Sequence, residues 1–426
     1  MRVVLVGAGV AGGVIARGLS RIPGINLELV EQVAPEDHAM AGNGLNVGPN
    51  ALWALEGLLP EIATELRAAS RPWTRWHAAL SDGTLLYEIK LADVAPCAGI
   101  RIRWSELYRI ARERVAAVTR YDRRCVGVEL AGDGTARVVV ESTAGGGREQ
   151  IRDVDLLIAC DGRYSRIREL LCGAPAIRHL GVANFRLLID DGGAIDIDDL
   201  EQWYTGPNRL LAFRLADGRV YLSGNFPIEA GRDIRDDEKT PAFLRDIYLP
   251  ASGPIEPKCR QLMDATCDPH AVLHWSRAQE IDVRFHDAAR RVLFVGDAAH
   301  AMAPTLGQGA TQAIEDACAL VALFERMRGP GFSVPGLLEA YDRLRRERIE
   351  FVRRFSWDAS ESLLAGRDPV ATNRPKSGPA YHQMLRRMYG ELGFGPASDI
   401  RPEAQTAASG PTGRISMPNS LSSATG

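Results

Sequence analysis

Two clusters of glycines and acids, far apart along the chain, carry residue types suited to holding a charged, hydroxyl-rich ligand. The first is Gly7-Ala8-Gly9-Val10-Ala11-Gly12, with Glu31 following 19 residues after Gly12. A glycine at the first position permits a tight turn. The second lets a pyrophosphate approach the backbone, and the third lets a helix pack closely on a strand. An acid at the distance of Glu31 is placed to accept from ribose hydroxyls. The bland alternative is a Gly-rich turn that binds nothing. The second cluster lies within residues 292–316. There Gly296-Asp297 puts a carboxylate at a strand end, and a loop from Pro304 through Gly307, Gln308, Gly309 and Ala310 opens a helix. Such a helix start offers free backbone N–H groups and the positive end of a dipole. A third cluster is Asp161-Gly162, followed by Ser165 and Arg168; by itself it could be any tight turn.

These residues need strands and helices to position them. Residues 3–6, 155–159 and 292–295 read as short buried strands, and 27–30 as the strand that ends in Glu31. Residues 14–19, 50–59, 102–118 and 309–327 read as helices. The early alternation predicts a doubly wound α/β sheet. Residues 73–90 read as a hairpin turning at Ser81-Asp82-Gly83. Residues 125–130 and 136–141 read as another, turning at Gly132-Asp133-Gly134. From 178 to 226 the texture changes: runs 182–189, 210–215 and 220–226 predict an inserted antiparallel sheet, with the acidic stretch 190–201 as a solvated loop. The basic stretch 343–354 reads as a solvated helix face. Residues 397–426, rich in Pro, Ser, Gly and Ala, predict a disordered tail.

Bulk properties exclude several classes. The chain has 426 residues, enough for two or three domains and a large core. A formal charge of −3 gives no nucleic-acid footprint. Seven scattered cysteines with no C-x-x-C suit a reducing cytoplasm better than a disulfide framework. No uncharged apolar run is long enough to span a bilayer. There is no G-x-S-x-G, no Walker A and no zinc spacing; His270 and His274 lack the Glu of H-E-x-x-H and read as ordinary strand or loop residues.

Together, GAGVAG, DGRYSRIR (residues 161–168) and GDAAHAMAPTLGQGATQAIEDA (296–317) resemble the class A FAD-dependent aromatic monooxygenases, the salicylate- and p-hydroxybenzoate-hydroxylase family. The likeness runs from residue 1 to about 355. Residues 42–50 match the family's segment beside the flavin more weakly. The resemblance implies an α/β fold: a Rossmann-like FAD domain, an inserted antiparallel substrate domain and C-terminal helices. The FAD domain would comprise 1–72, 98–177 and 281–395, the substrate domain 73–97 and 178–280, and the tail 396–426. It implies that Gly7, Gly9, Val10, Ala11 and Gly12 hold the FAD pyrophosphate and Glu31 the adenosine ribose. Asp297 beside Gly296 would hold the ribityl chain, and residues Gly307, Gln308, Gly309 and Ala310 the flavin ring. Asp161 and Gly162 would serve both FAD and a passing nicotinamide cofactor, NADH or NADPH. Relatives often carry an Arg at the start of the helix that here begins Trp104-Ser105-Glu106-Leu107. This chain has Trp104 there, which leaves Arg103 as the candidate FAD contact.

The implied reaction uses NAD(P)H and O2 to hydroxylate a small aromatic or heteroaromatic compound through a C4a-hydroperoxyflavin. The cofactor supplies the reactivity; the protein supplies position, electrostatics and exclusion of water. Pro304 would close the loop over the flavin. Asn46 would stand nearest its reactive edge, or else simply cap a backbone. On the inserted sheet, Arg186, Tyr204, Arg209, Arg214 and Tyr221 are substrate candidates, each with a solvated-residue alternative. Arg209, at a strand start, is preferred and would favour an anionic substrate; Tyr221 would orient a phenol. His300 matches the family without a direct role. No metal is implied, nor a nucleic-acid or membrane partner, and the assembly is expected to be a monomer or homodimer. The alternatives are a flavin-dependent reductase on the same fold and a non-catalytic flavin-binding sensor.

Overall fold

A computed structural model describes residues 1–36, 43–131 and 135–394. The expected tail, the Gly132-Asp133-Gly134 turn and Gly42 lie outside the described residues.

The short apolar runs form one six-stranded sheet. Its order is His286–Asp287, Val292–Phe294, Leu156–Ala159, Arg2–Val6, Asn26–Val30, Thr119–Arg120. Neighbours are parallel, apart from the His286–Asp287 edge. Val3, Val4, Leu5, Leu157, Ile158 and Leu293 are fully buried, as expected for strands covered on both faces. The topology explains why three distant motifs can act together. Each follows the C-terminal end of one of three adjacent parallel strands, so all three emerge on one edge of the sheet, where open α/β sheets bind ligands.

The inserted sheet has seven strands, in the order His274–Ile281, Ile177–Ile189, Val220–Pro227, Asn208–Arg214, Leu200–Thr205, Arg75–Leu80, Leu85–Lys90. It is antiparallel except between Leu200–Thr205 and Arg75–Leu80. Alternation assigns its two faces. Phe185, Trp203, Leu210 and Leu222 pack on Leu244, Tyr248, Leu262 and Met263 of the helices Pro241–Tyr248 and Pro257–Ala265. Arg209, Leu211, Tyr221 and Asn225 take the opposite face.

Three expectations need correction. The stretch 190–201 is only in part a solvated loop: Asp190, Asp196 and Asp198 are exposed, but the rest is tied into the fold. Asp191 holds Arg214 at 2.8 and 3.0 Å. Asp199 accepts from the backbone N–H groups of Thr74 and Arg75, and Glu201 holds Lys258 at 2.9 Å. Ile195 and Ile197 between them are buried; Asp191, Asp199 and Glu201 therefore enter the fold with their own donors, as burial demands. The basic stretch 343–354 is only partly solvated. Arg345 and Arg348, three apart on the helix Val334–Ala359, turn inward onto Glu315 and Asp316. The helix expected over 102–118 begins only at Trp104, runs to Arg112, and is followed by a 3₁₀ turn at Ala116–Val118. Residues 99–103 form a strand instead, because they pair with Gly44–Val47 and Arg71–Trp73.

Candidate active site

The first cluster forms a cleft of about 790 Å³ at the sheet edge. Gly7 adopts φ +100°, and a Cβ there would lie 2.4 Å from the Cys160 carbonyl oxygen. A Cβ on Gly12 would collide with the Gly7 oxygen. Both glycines are therefore required by packing. Gly9 differs: no atom lies within 4 Å of where its Cβ would stand. Protein packing leaves space above Gly9, at the uncapped start of the helix Val10–Leu19, where backbone N–H groups can meet an anion. Val10 and Ala11 form the first helical residues. Glu31 lines the cleft and already accepts from the Ala8 N–H at 2.6 Å and the Val33 N–H at 3.1 Å, so it also fixes the turn. Asp161 accepts from Ser165 Oγ at 2.6 Å and the Ile167 N–H at 3.1 Å. Burial raises its carboxyl against those bonds. It lines the cleft beside Gly162, at φ +78°.

Arg103 lines neither this cleft nor the second cavity; it faces Asp217 at 3.6 Å. The cation that the helix Trp104–Arg112 brings to the cleft is Arg112, two turns along it. Its Nε donates to the Ala8 carbonyl at 2.7 Å, and its buried Nη1 has no partner. Arg123, Arg124, Arg148 and Arg166 add positive charge against Glu31, Glu141 and Asp161. An open cradle over Gly9, an orphaned guanidinium nitrogen and a basic wall fit the diphosphate of FAD.

The cleft's neighbour is a cavity of about 280 Å³ between the two sheets. One wall is Asp297 and the loop 304–310; the other is the polar face of the inserted sheet. Gly307 adopts φ +65° and starts the helix Gln308–Met327. A Cβ on it would stand 2.5 Å from Asn46 Nδ2, so Asn46 lies directly over the bare backbone. Asp297 lines the cavity without a side-chain hydrogen bond among the described residues. Burial raises its carboxyl, while His300 and Arg163 pull it back. It is an acceptor available to a ligand hydroxyl.

Beneath the loop, the helix start is locked by a buried network. Gly48 N–H donates to Thr311 Oγ1 at 2.9 Å, and Asn50 donates to Gln308 at 3.1 Å and to Glu315 at 2.8 Å. Arg345 joins Glu315, Asp316 and Gln312 at 2.6, 2.7 and 2.8 Å. Burial pushes the Glu315 carboxyl up, but Arg348 and Arg345 outweigh it and hold it at about 2. His300 Nε2 lies 2.7 Å from Asp316, and the Gly296 N–H donates to the same carboxylate. His300 therefore belongs to the scaffold under the loop.

Pro304, Asn46, Arg209 and Tyr221 all line this one cavity, with Arg186 beside them. Arg214 occupies the opposite face of the sheet, bound to Asp191. Tyr204 is buried next to Ser362. His270 and His274 are exposed. Sequence reasoning missed Arg112, Gln202, Asn184 and Asn225. Counting positions by twos from Arg209 and Tyr221 along their strands, and across to their neighbours, could have found the last two.

The FAD binding domain family matches residues 1–356. Salicylate hydroxylase from Pseudomonas putida is 30% identical over 415 residues, covering 87% of each chain. The 6-hydroxynicotinate 3-monooxygenase of Pseudomonas fluorescens is 28% identical over 382 residues, covering 86% of this chain and 93% of that protein. Klebsiella pneumoniae HpxO, solved with FAD and uric acid, shares the fold at a TM-score of 0.70 and 24% identity, over 92% of this chain and 94% of its own. With its three motifs meeting at one sheet edge, the chain belongs to the class A FAD-dependent aromatic monooxygenases.

Proposed function

We propose that the chain hydroxylates a compound of phenol, salicylate or hydroxypyridine type, with NAD(P)H and O2 as co-substrates. The observation that carries this reading is the single cavity lined by both the 304–310 loop and the polar face of the inserted sheet. It lets one ring lie against the flavin while its substituents meet Arg209 and Tyr221. Bound and reduced, FAD supplies the oxygen activation that no side chain here offers.

The chain's own residues would do the rest. Gly9, Val10, Ala11 and Arg112 would hold the diphosphate, and Glu31 the ribose. Asp297 would accept from the ribityl hydroxyls. The start of the helix Gln308–Met327 would stabilise negative charge on the reduced ring. Pro304 and Leu306 would shed water from the reacting face, and the Asn46–Gly307 contact would fix the loop's height. Asp161 and Gly162, which line the cleft, would meet the passing nicotinamide cofactor. The seven cysteines are all free, which suits a cytoplasmic enzyme. No helix among the described residues is long and apolar enough to cross a membrane.

Turnover under ¹⁸O₂ tests the reading. It requires one labelled oxygen in the product for each NAD(P)H consumed with the right substrate. Oxidation of NAD(P)H with an unlabelled, chemically reduced product would point instead to a reductase.

A further inference from the structure

The polar face of the inserted sheet contains one cross-strand row of unusual chemistry. Ser276, Asn184, Asn225, Arg209 and Tyr204 stand opposite one another on five successive strands. Residues so placed touch across a sheet. Arg209 is buried, and its Nε and Nη2 both donate to Asn225 Oδ1, at 2.9 and 2.6 Å. Its Nη1 donates to Gln202 at 3.3 Å. Asn225 Nδ2 in turn donates to Asn184 Oδ1.

This order is forced. A guanidinium has donors only, so it must face the oxygen of Asn225. That leaves the Asn225 amide nitrogen for its neighbour, which must offer its own oxygen. Asn184 therefore presents Nδ2 as the free end of the row. Asn184 is 2% exposed, and its Nδ2 has no partner. Asn184, Asn225 and Arg209 all line the 280 Å³ cavity. Buried donors are rarely left unmatched. The cavity wall also carries Arg186 and Arg163 against the one carboxylate of Asp297; Nε and Nη2 of Arg163 are buried without partners.

We infer that Asn184 is a substrate-binding residue, donating from Nδ2 to the carboxylate oxygen of an aromatic acid, and that Arg209 positions it through Asn225. Much of the Arg209 guanidinium is spent on protein acceptors; its main work is to set the polarity of the row and supply charge beneath it. The inference rests on the hydroxylase reading for where the ring lies, and it names the substrate class of that site.

The test is a titration of the FAD-loaded full chain with salicylate, 6-hydroxynicotinate and phenol, followed by flavin absorbance. Two variants remove the donor. Asn184→Asp keeps the acceptor that Asn225 needs, and Asn184→Leu adds no charge. In both, binding of the acid held by the wild type should weaken at least tenfold, while phenol changes less than twofold. Either variant alone suffices if the other fails to retain FAD. A role limited to holding the sheet together would weaken phenol and acid alike, and that result overturns the inference. So does acid binding within twofold of wild type, or a wild type that binds neither acid. Acid binding that follows the predicted split without any hydroxylated product would leave the inference standing and defeat the hydroxylase reading. Hydroxylation by both variants at an unchanged KM for the acid would do the reverse.

Discussion

Replacing Arg345 with Met should destabilise the chain well out of proportion to the loss of one charge. Arg345 is fully buried and joins Glu315 and Asp316 at 2.6 and 2.7 Å. Removing one partner of a buried ion pair costs about 3–5 kcal/mol, because the other is left buried and uncompensated. Arg348 still reaches Glu315 at 2.8 Å and His300 still reaches Asp316 at 2.7 Å, so the lower end, ~3 kcal/mol, applies. With an unfolding entropy of ~2.1 cal/mol/K per residue over ~400 residues, that lowers Tm by roughly 4 °C. Arg346→Met is the control: Arg346 is 42% exposed in its side chain and pairs with Asp342, a contact worth about 0–1 kcal/mol. Acid adds a second arm. Glu315 is held at about 2 against an ordinary 4.5. A depressed carboxyl contributes stability that is full above the unfolded pKa and lost as pH falls through the folded one. The span corresponds to ~3 kcal/mol, lost between about pH 4.5 and 2. The gap between wild type and Arg345→Met should therefore be full at pH 7 and shrink below pH 4.5. Calorimetry of the two variants across that range checks both arms. Equal Tm values for Arg345→Met and Arg346→Met at pH 7 would refute the reasoning.

The remaining predictions concern the ligand sites. Gly9→Val should fold with the wild-type melting temperature of the apoprotein, since nothing occupies its Cβ space, yet lose FAD; a flavin-replete Gly9→Val, read by the absorbance ratio after purification, would exclude a phosphate there. Asp297→Asn should raise the melting temperature of the FAD-free chain, because burial raises the Asp297 carboxyl and its ionised form at neutral pH opposes folding. The same variant should weaken FAD binding by roughly 10–100-fold, the worth of a hydrogen bond to a charged group, measured by fluorescence titration. Arg209→Ala should raise KM for an anionic substrate far more than it slows flavin reduction by NAD(P)H alone; equal effects would show that Arg209 only braces the sheet.

Much of the fold was legible because its strands are short, apolar and bounded by glycines. Residues 3–6 and 27–30 read as strands on either side of GAGVAG, and Gly296-Asp297 marks where a third ends. The cavity wall was legible in outline from Arg209 and Tyr221. What the sequence hid was pairing. Asp191, Asp199 and Glu201 look like a solvent-facing acidic run, and only the fold brings Arg214, the Thr74 and Arg75 N–H groups and Lys258 to them. Arg345 and Arg348 look like surface charge until Glu315 and Asp316, some 30 residues earlier, are seen beneath them. Arg112 was hidden because no motif marks it; only the fold brings it to the Ala8 carbonyl, 104 residues earlier. Asn184 and Asn225 lie 41 residues apart and have no motif; cross-strand register alone makes them neighbours.

The most direct test of the central claim, that the flavin site and the cavity beneath the inserted sheet are one catalytic centre, is anaerobic flavin reduction. The FAD-loaded chain would be mixed with NADH or NADPH in the presence of phenols, salicylates, hydroxypyridines or purines, then exposed to O2. The account predicts that at least one of these compounds accelerates reduction and leaves, after a single turnover, a product heavier by one oxygen. Rapid reduction indifferent to every compound, with no hydroxylated product, would contradict it.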